Sequence, residues 1–174
     1  MNKSEHCKEV YAYFGLAMYR AQCVEQSIVQ LLIFFDFFIK NVPKFRTSQQ
    51  WEMDFDTFDK ALSKKTMGNL LSLLKDIGVL DETITNKLSL ALKKRNYLAH
   101  TYFVEHALDF INEAGRNNMI KELQEIIEML NTVEETLQPI SRAAAIKYGL
   151  TDEVLERLKN EMYESVNGDL NEVD

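Results

Sequence analysis

Proline, glycine and cysteine are all scarce in this chain. Its 174 residues include two prolines, six glycines and two cysteines. The shortage of proline and glycine argues against linkers between domains and favours an all-helical chain. Cys7 and Cys23 fall within one helical pattern, so they lie too far apart along the helix to form a disulfide with each other. We therefore expect free thiols.

Motifs for metal and nucleotide-phosphate sites are also missing. The three histidines, His6, His100 and His106, are scattered, and neither a CxxC nor an HExxH spacing occurs. His100 and His106 would lie about 120° apart on a straight helix, which makes them a poor pair of ligands. No GxxxxGK[ST] or GxGxxG loop occurs. We therefore expect no metal and no cofactor.

The sequence lacks an export signal and an uninterrupted membrane span. Residues 1–6 are polar, and a chain with free thiols and no signal peptide is expected in the cytoplasm. The most apolar run, residues 31–39, is shorter than the ~20 residues that cross a bilayer, and Asp36 interrupts it. Such a run is typical of a central core helix or a subunit interface, so we expect no membrane contact.

The chain does contain helical periodicity along nearly its whole length, and no segment shows sustained strand-like alternation. We predict an all-α fold, an up-and-down bundle of four to six helices, in one domain spanning residues 1–174. The core bundle is predicted to span residues 4–148. An acidic C-terminal helix and tail are predicted for residues 151–174.

Local signals set the expected helix boundaries. The first helix is predicted to end near Ile39, and residues 40–56 are predicted to form a polar connection. Thr66 and Asp81 are predicted N-caps, the latter for a helix running from about residue 82 to residue 102. Pro139 is predicted to kink or end the helix that contains it.

Charge is distributed unevenly. The net charge of −7 argues against a protein that coats nucleic acid without regard to sequence. Residues 60–95, however, hold eight bases and three acids, a local charge of +5. Such a basic region on an acidic body is suited to a short anionic ligand or an acidic partner, although a solvated helix face accounts for the same lysines.

Arg95 occupies an unusual position at the end of this basic region. On a helical wheel it lies in the middle of an apolar stripe, with Leu92 and Ala99 on one side and Leu98 and Tyr102 on the other. A long basic side chain ordinarily lies at the edge of such a stripe and reaches to water. His100 and Asn96 are one turn apart on the flank of the stripe.

These residues suit metal-independent cleavage of RNA. That reaction needs a base for the 2′-hydroxyl, an acid for the leaving 5′-oxygen and a cation for the charged phosphorane. Histidine acts as base or acid near neutral pH, and arginine binds phosphate oxygens through two N–H groups. One chain supplies only one such histidine. Two copies that meet across a two-fold axis supply both, so we expect a homodimer.

A purely structural role for Arg95 is also consistent with the sequence. Glu25 and Asp36 fall in line with the predicted apolar spine of the first helix. Either carboxylate would satisfy a buried guanidinium, and His100 would then only bond to a neighbouring carbonyl or lie half exposed.

The segment from Arg95 to Tyr102, RNYLAHTY, resembles the R-x4-H-x-Y motif of the HEPN superfamily. It resembles in particular the toxin half of HEPN/MNT toxin–antitoxin pairs. The resemblance implies a dimeric helical bundle that acts as a metal-independent endoribonuclease in toxin–antitoxin or phage-defence systems. It further implies that Arg95 binds the scissile phosphate, that His100 is the acid–base residue, and that Asn96 positions His100.

The same resemblance implies partners. Tyr102 matches the tyrosine that a nucleotidyltransferase antitoxin modifies, and we predict that Lys93, Lys94 and Tyr102 contact RNA or a nucleotide. Some HEPN proteins are inactive and only bind nucleotides or proteins, so a non-catalytic binding module is the alternative function. A plain helical scaffold, with Glu25 as the structural partner of Arg95, is the third.

Overall fold

The computed structural model describes residues 3–171, so the last three residues of the predicted tail lie outside it. The described residues form helices joined by turns, with no strand among them, and the all-α prediction is confirmed. The helices are α1 (Lys3–Leu32), α2 (Ile39–Asn41), α3 (Ser48–Leu62), α4 (Met67–Ile77), α5 (Glu82–His100), α6 (Tyr102–Glu105), α7 (Glu113–Lys147) and α8 (Asp152–Asn171). Six of these eight are longer than ten residues.

The core lies where α1, α4, α5 and α7 meet. Helix α5 runs antiparallel to α1, because Arg95 faces Glu25 while Phe103, just beyond α5, packs on Phe14. Helix α7 runs parallel to α1, with Gln124 bonded to Tyr13 and Ser141 bonded to Gln30. The side chains that fill the space between these helices are fully or almost fully buried, and they include Val10, Ala17, Ala21, Val24, Ile28, Leu74, Leu88, Leu98, Met119, Leu123 and Leu130.

The buried face of α1 differs from the predicted spine. The predicted spine consists of Phe14, Met18, Ala21, Ile28 and Leu32. Its last three residues are buried as predicted, but Phe14 and Met18 are only partly buried, whereas Ala17 and Val24 outside the spine have no exposed surface. The buried face is therefore rotated by about 40° from the predicted one. Because of this rotation Glu25 lies at the edge of the core, where it remains accessible to solvent.

A π-helical turn, Ile33–Phe38, continues α1 beyond Leu32. A π turn inserts an extra residue and changes the direction of the side chains that follow. Phe34 consequently packs against Ala144 and Ala145 of α7, while Phe37 packs against aromatic rings of α3. Asp36, the other predicted partner for Arg95, instead pairs with Lys40.

Two boundary predictions are confirmed, the predicted connection over residues 40–56 is wrong, and Pro139 does not end the helix that contains it. The Thr66 hydroxyl and the Asp81 carboxylate cap α4 and α5 as predicted. Helix α3 begins at Ser48, inside the predicted connection, because the Thr47 hydroxyl accepts a hydrogen bond from the Gln50 backbone N–H. Helix α7 continues through Pro139, since contacts with α1 on both sides of the proline outweigh one lost backbone hydrogen bond.

The helix that runs from Lys3 to Lys44 is long and apolar enough to cross a membrane by length and composition. About a third of its most apolar window is buried inside the protein. The core helix of a soluble protein and a signal sequence near an N-terminus meet the same two criteria, and α1 contributes core residues from Val10 to Leu32.

Candidate functional site

Helix α5 positions the motif residues alongside α1, where Arg95 faces Glu25. The Asp81 side chain caps its first turn at 2.8 Å, and buried Leu88, Ala91 and Leu98 hold one face against the core. The backbone leaves the helical path at Thr101 and re-enters a short helix at Tyr102. Arg95, Asn96 and His100 therefore lie on the last two turns of a firmly anchored helix.

The Arg95 guanidinium lies at the rim of the core and not inside it. Its Nη2 is 4.0 Å from Glu25 Oε2, and its Nη1 donates a hydrogen bond to Asn96 Oδ1 at 3.3 Å. The side chains of Arg95 and Glu25 are 30% and 20% exposed. A pair at this separation with access to water is weak. The predicted structural partner is thus next to Arg95, but these two contacts use only part of the five N–H donors of a guanidinium that is partly accessible to solvent.

Asn96 and His100 are both exposed. They are one helical turn apart on the same side of α5. The Asn96 side chain accepts a hydrogen bond from Arg95, so Arg95 is held towards the side of α5 that carries His100. Within the side chains that the structure describes, the His100 imidazole has no hydrogen-bond or ion-pair partner. Both of its ring nitrogens are therefore available to a ligand.

The two lysines before the motif differ in their surroundings. Lys93 is exposed, whereas the Lys94 ammonium lies over the Tyr97 ring, 5.4 Å from its centroid. The Lys94 side chain is partly buried by this contact. Lys93 is the freer of the two to meet a phosphate.

Tyr102 has no exposed surface, and its hydroxyl donates a hydrogen bond to the Met119 carbonyl at 3.1 Å. Burial and the nearby Glu122 carboxylate raise the pKa of this hydroxyl above its ordinary value. Tyr102 thus packs α6 against α7, and contact with RNA or a modifying enzyme would require α6 to move away from α7.

A polar cluster around His106 was not predicted from the sequence. His106 Nδ1 is 2.8 Å from Asp109 Oδ2, and its Nε2 is 2.8 Å from Glu122 Oε2 and 3.0 Å from the Tyr97 hydroxyl. Burial and Glu122 raise the pKa of Tyr97. The cluster links α5, α7 and the turn between them. The sequence gives no hint of it, because Glu122 approaches His106 only when the helices pack.

An open groove of about 860 Å³ lies over the outward side of α1. Arg95 lines it from α5, and Glu134 lines it from α7. The remaining lining residues come from α1 and are mostly uncharged: Met18, Tyr19, Gln22, Cys23, Glu25, Gln26, Ser27 and Gln30. His100 does not line this groove. Arg95 is the motif residue that lies at the groove.

Three exposed apolar side chains follow the motif closely. Val104, Leu108 and Ile111 are 77%, 79% and 65% exposed. We call them the apolar knob. Aromatic rings of the same segment, Phe103 and Phe110, pack with each other and with Tyr11 of α1. Several large exposed apolar side chains within one short segment are typical of an association surface.

Among residues 3–171, no group of three or more His, Cys, Asp or Glu side chains is arranged to hold a metal ion. Comparison with protein-family models, with curated proteins and with solved structures found no match for this chain. The HEPN resemblance therefore depends on the motif and on its position in a helical bundle.

Proposed function

We propose that this chain is a HEPN-like, cytoplasmic endoribonuclease that acts without a metal, as a homodimer, in toxin–antitoxin or phage defence. One observation carries the proposal. Arg95 is bonded to Asn96, which lies one turn before an exposed His100 that has no partner among the described side chains. A phosphate-binding cation and an acid–base group therefore lie together on one solvent-facing helix end.

The chemistry assigns a role to each residue. One His100 takes the proton from the ribose 2′-hydroxyl, whose oxygen then attacks the neighbouring phosphorus. Arg95 donates hydrogen bonds to the phosphate oxygens as negative charge builds on them. The bond to the 5′-oxygen breaks, and the His100 of a second copy gives that oxygen a proton. The products are a 2′,3′-cyclic phosphate and a free 5′-hydroxyl.

The apolar knob supports the homodimer. A single chain has one exposed histidine at this site and lacks the second acid–base group that the reaction requires. Val104 and Leu108 lie directly beyond His100, so a second copy that covers them brings its own motif to the same place. A nucleotidyltransferase antitoxin remains the proposed partner. It would reach Tyr102 only after α6 opens, because that hydroxyl is buried.

The test is an RNA-cleavage assay in EDTA with wild type, Arg95→Ala and His100→Ala. We expect cleavage by wild type and a loss of about 10²–10⁴-fold in each variant, since each removes one catalytic group. Lys121→Ala, an exposed change on α7, is the control and should cleave normally. Analytical ultracentrifugation should show that all four proteins are dimers. Intact RNA with the wild-type dimer, or equal cleavage by His100→Ala, contradicts the proposal.

One observation favours the alternative, a non-catalytic module that binds a nucleotide or protein. Arg95 lines the open groove on α1, and His100 does not. Arg95 would be the phosphate-binding cation of this groove, which Glu25 and Glu134 also line, and binding there would not lead to turnover. In that case mononucleotides should raise the melting temperature of wild type but not of Arg95→Ala, and RNA should remain intact.

A further inference from the structure

Helix α8 carries an apolar stripe that remains partly exposed in the part of the chain that the structure describes. Leu155, Leu158 and Met162 recur at spacings of three and four residues, so they share one side of the helix. They are 41%, 40% and 70% exposed. Most of the stability of a helix in a protein comes from packing of its apolar face. Helix α8 therefore requires a partner for this stripe.

A second uncovered apolar surface follows the end of α1. Val42, Phe45 and Trp51 enclose a shallow cavity of about 260 Å³, which we call the Trp51 notch. Val42 and Phe45 are exposed, while the indole packs edge-on against Phe37 with ring centroids 5.0 Å apart. The notch therefore has a rigid floor and an open mouth, a form suited to apolar side chains from another helix.

The stripe and the notch carry opposite charge. Residues 152–165 contain five acids and two bases. The surface beside the notch, which shares Phe45 and Trp51 with it, is lined by two bases, Lys44 and Arg46, and by one acid, Asp54. Lys40 is paired with Asp36, but among the described side chains Lys44 and Arg46 have no carboxylate within ion-pair distance. Two acidic α8 helices would repel each other, while an acidic helix is attracted to this notch.

We propose that the α8 stripe of one copy docks into the Trp51 notch of a second copy. Each chain supplies one stripe and one notch, so a two-fold arrangement covers all four surfaces at once. The contact is independent of the proposed ribonuclease site. Phe103, next to His100, packs near the start of α1 on Phe14, whereas the notch follows the opposite end of that helix.

Trp51 is the only tryptophan in the chain, so its fluorescence reports directly on the notch. In wild type we expect a blue shift of its emission as protein concentration rises, reversed by dilution and weakened by salt. The stripe variant Leu155→Asp/Leu158→Asp should show no shift at any concentration. Leu90→Asp, which places a charge on an exposed position of α5, is the matched control and should behave like wild type.

A mixing experiment tests whether the α8 helix of a second copy occupies the Trp51 notch. The stripe variant, which has an intact notch, is mixed with an excess of the variant Phe45→Asp/Trp51→Phe. The second variant has an intact stripe but no tryptophan. Exchange between copies predicts that the emission of the stripe variant regains its blue shift in the mixture. No recovery would show that the α8 of a second copy does not fill the notch and would overturn the proposal. A shift with anionic phospholipid vesicles but none with protein concentration would overturn it in favour of a membrane surface.

Discussion

At the scale of single residues, Arg95 and Glu25 form a pair that is too open to explain why Arg95 is there. A buried pair would make each single substitution costly, because it would leave an uncompensated charge in the core. Both side chains instead reach water at a separation of 4.0 Å. The pair thus orients the guanidinium more than it stabilises the fold.

A double-mutant cycle with Glu25→Gln and Arg95→Met tests this view. We expect a coupling of about 0.2–1 kcal/mol in the free energy of unfolding, the range of exposed pairs. Urea titration of the wild type, the two single variants and the double variant gives the value. A coupling of about 3 kcal/mol or more would assign Arg95 to a structural pair and weaken the ribonuclease proposal.

The buried hydroxyl of Tyr102 leads us to predict how the stability of the protein changes at alkaline pH. Its folded-state pKa is raised above the ordinary value of about 10, so the folded protein holds this proton more tightly than the unfolded chain does. The stabilisation is complete below about pH 10 and is lost as the pH rises beyond that, because the tyrosine ionises first in the unfolded chain.

Measurements of the free energy of unfolding at pH 8 and above pH 10 should show this loss in wild type. Tyr102→Phe should lower the free energy of unfolding by about 1 kcal/mol at pH 8, because the hydrogen bond to Met119 is lost. Above pH 10 the free energy of unfolding of this variant should decrease less steeply than that of wild type. Tyr163→Phe, at an exposed tyrosine, is the control and should follow wild type. If the free energy of unfolding of Tyr102→Phe decreased as steeply as that of wild type, Tyr102 would not be the cause of the loss at alkaline pH.

At the scale of secondary-structure elements, the start of α7 touches the short turn that follows the motif. Gly115 lies against the backbone of Asp109, and a Cβ at that position would overlap the Asp109 carbonyl. The same Asp109 bonds to His106. The close approach of α7 therefore holds the turn and the His106 cluster in place.

Gly115→Ala should destabilise the protein by about 1–3 kcal/mol, because the overlap outweighs the helix propensity gained. Gly15→Ala is the matched control. Gly15 also lies inside a helix but has nothing near its Cβ position, so alanine there should stabilise by roughly 0.5–1 kcal/mol. Thermal unfolding of both variants gives the comparison. A neutral Gly115→Ala would mean that the turn shifts easily.

At the scale of the whole molecule, the two ends of the bundle present different apolar surfaces. The apolar knob beside His100 lies at one end, and the Trp51 notch lies at the other. A chain with both surfaces uncovered has two separate reasons to associate, and substitutions at one end should leave the other contact unchanged.

Leu108→Asp tests the end near the motif. Leu108 is 79% exposed, so a charge there should not affect folding, but it should separate the proposed dimer and abolish RNA cleavage without altering Arg95 or His100. Sedimentation and the EDTA cleavage assay measure the two effects, with Leu90→Asp as control. Full cleavage by a monomeric Leu108→Asp protein would show that one chain contains the complete site.

The sequence by itself determined the all-α class, the caps at Thr66 and Asp81, and the presence of Arg95, Asn96 and His100 near the end of one helix. These features depend on local periodicity and on hydrogen bonds between residues a few positions apart. The rotation of α1, the burial of Tyr102, the π turn and the His106 cluster were decided only by the tertiary structure. A helical wheel gives the angle between side chains of one helix, but it cannot show which neighbouring helix each side faces or how closely it approaches.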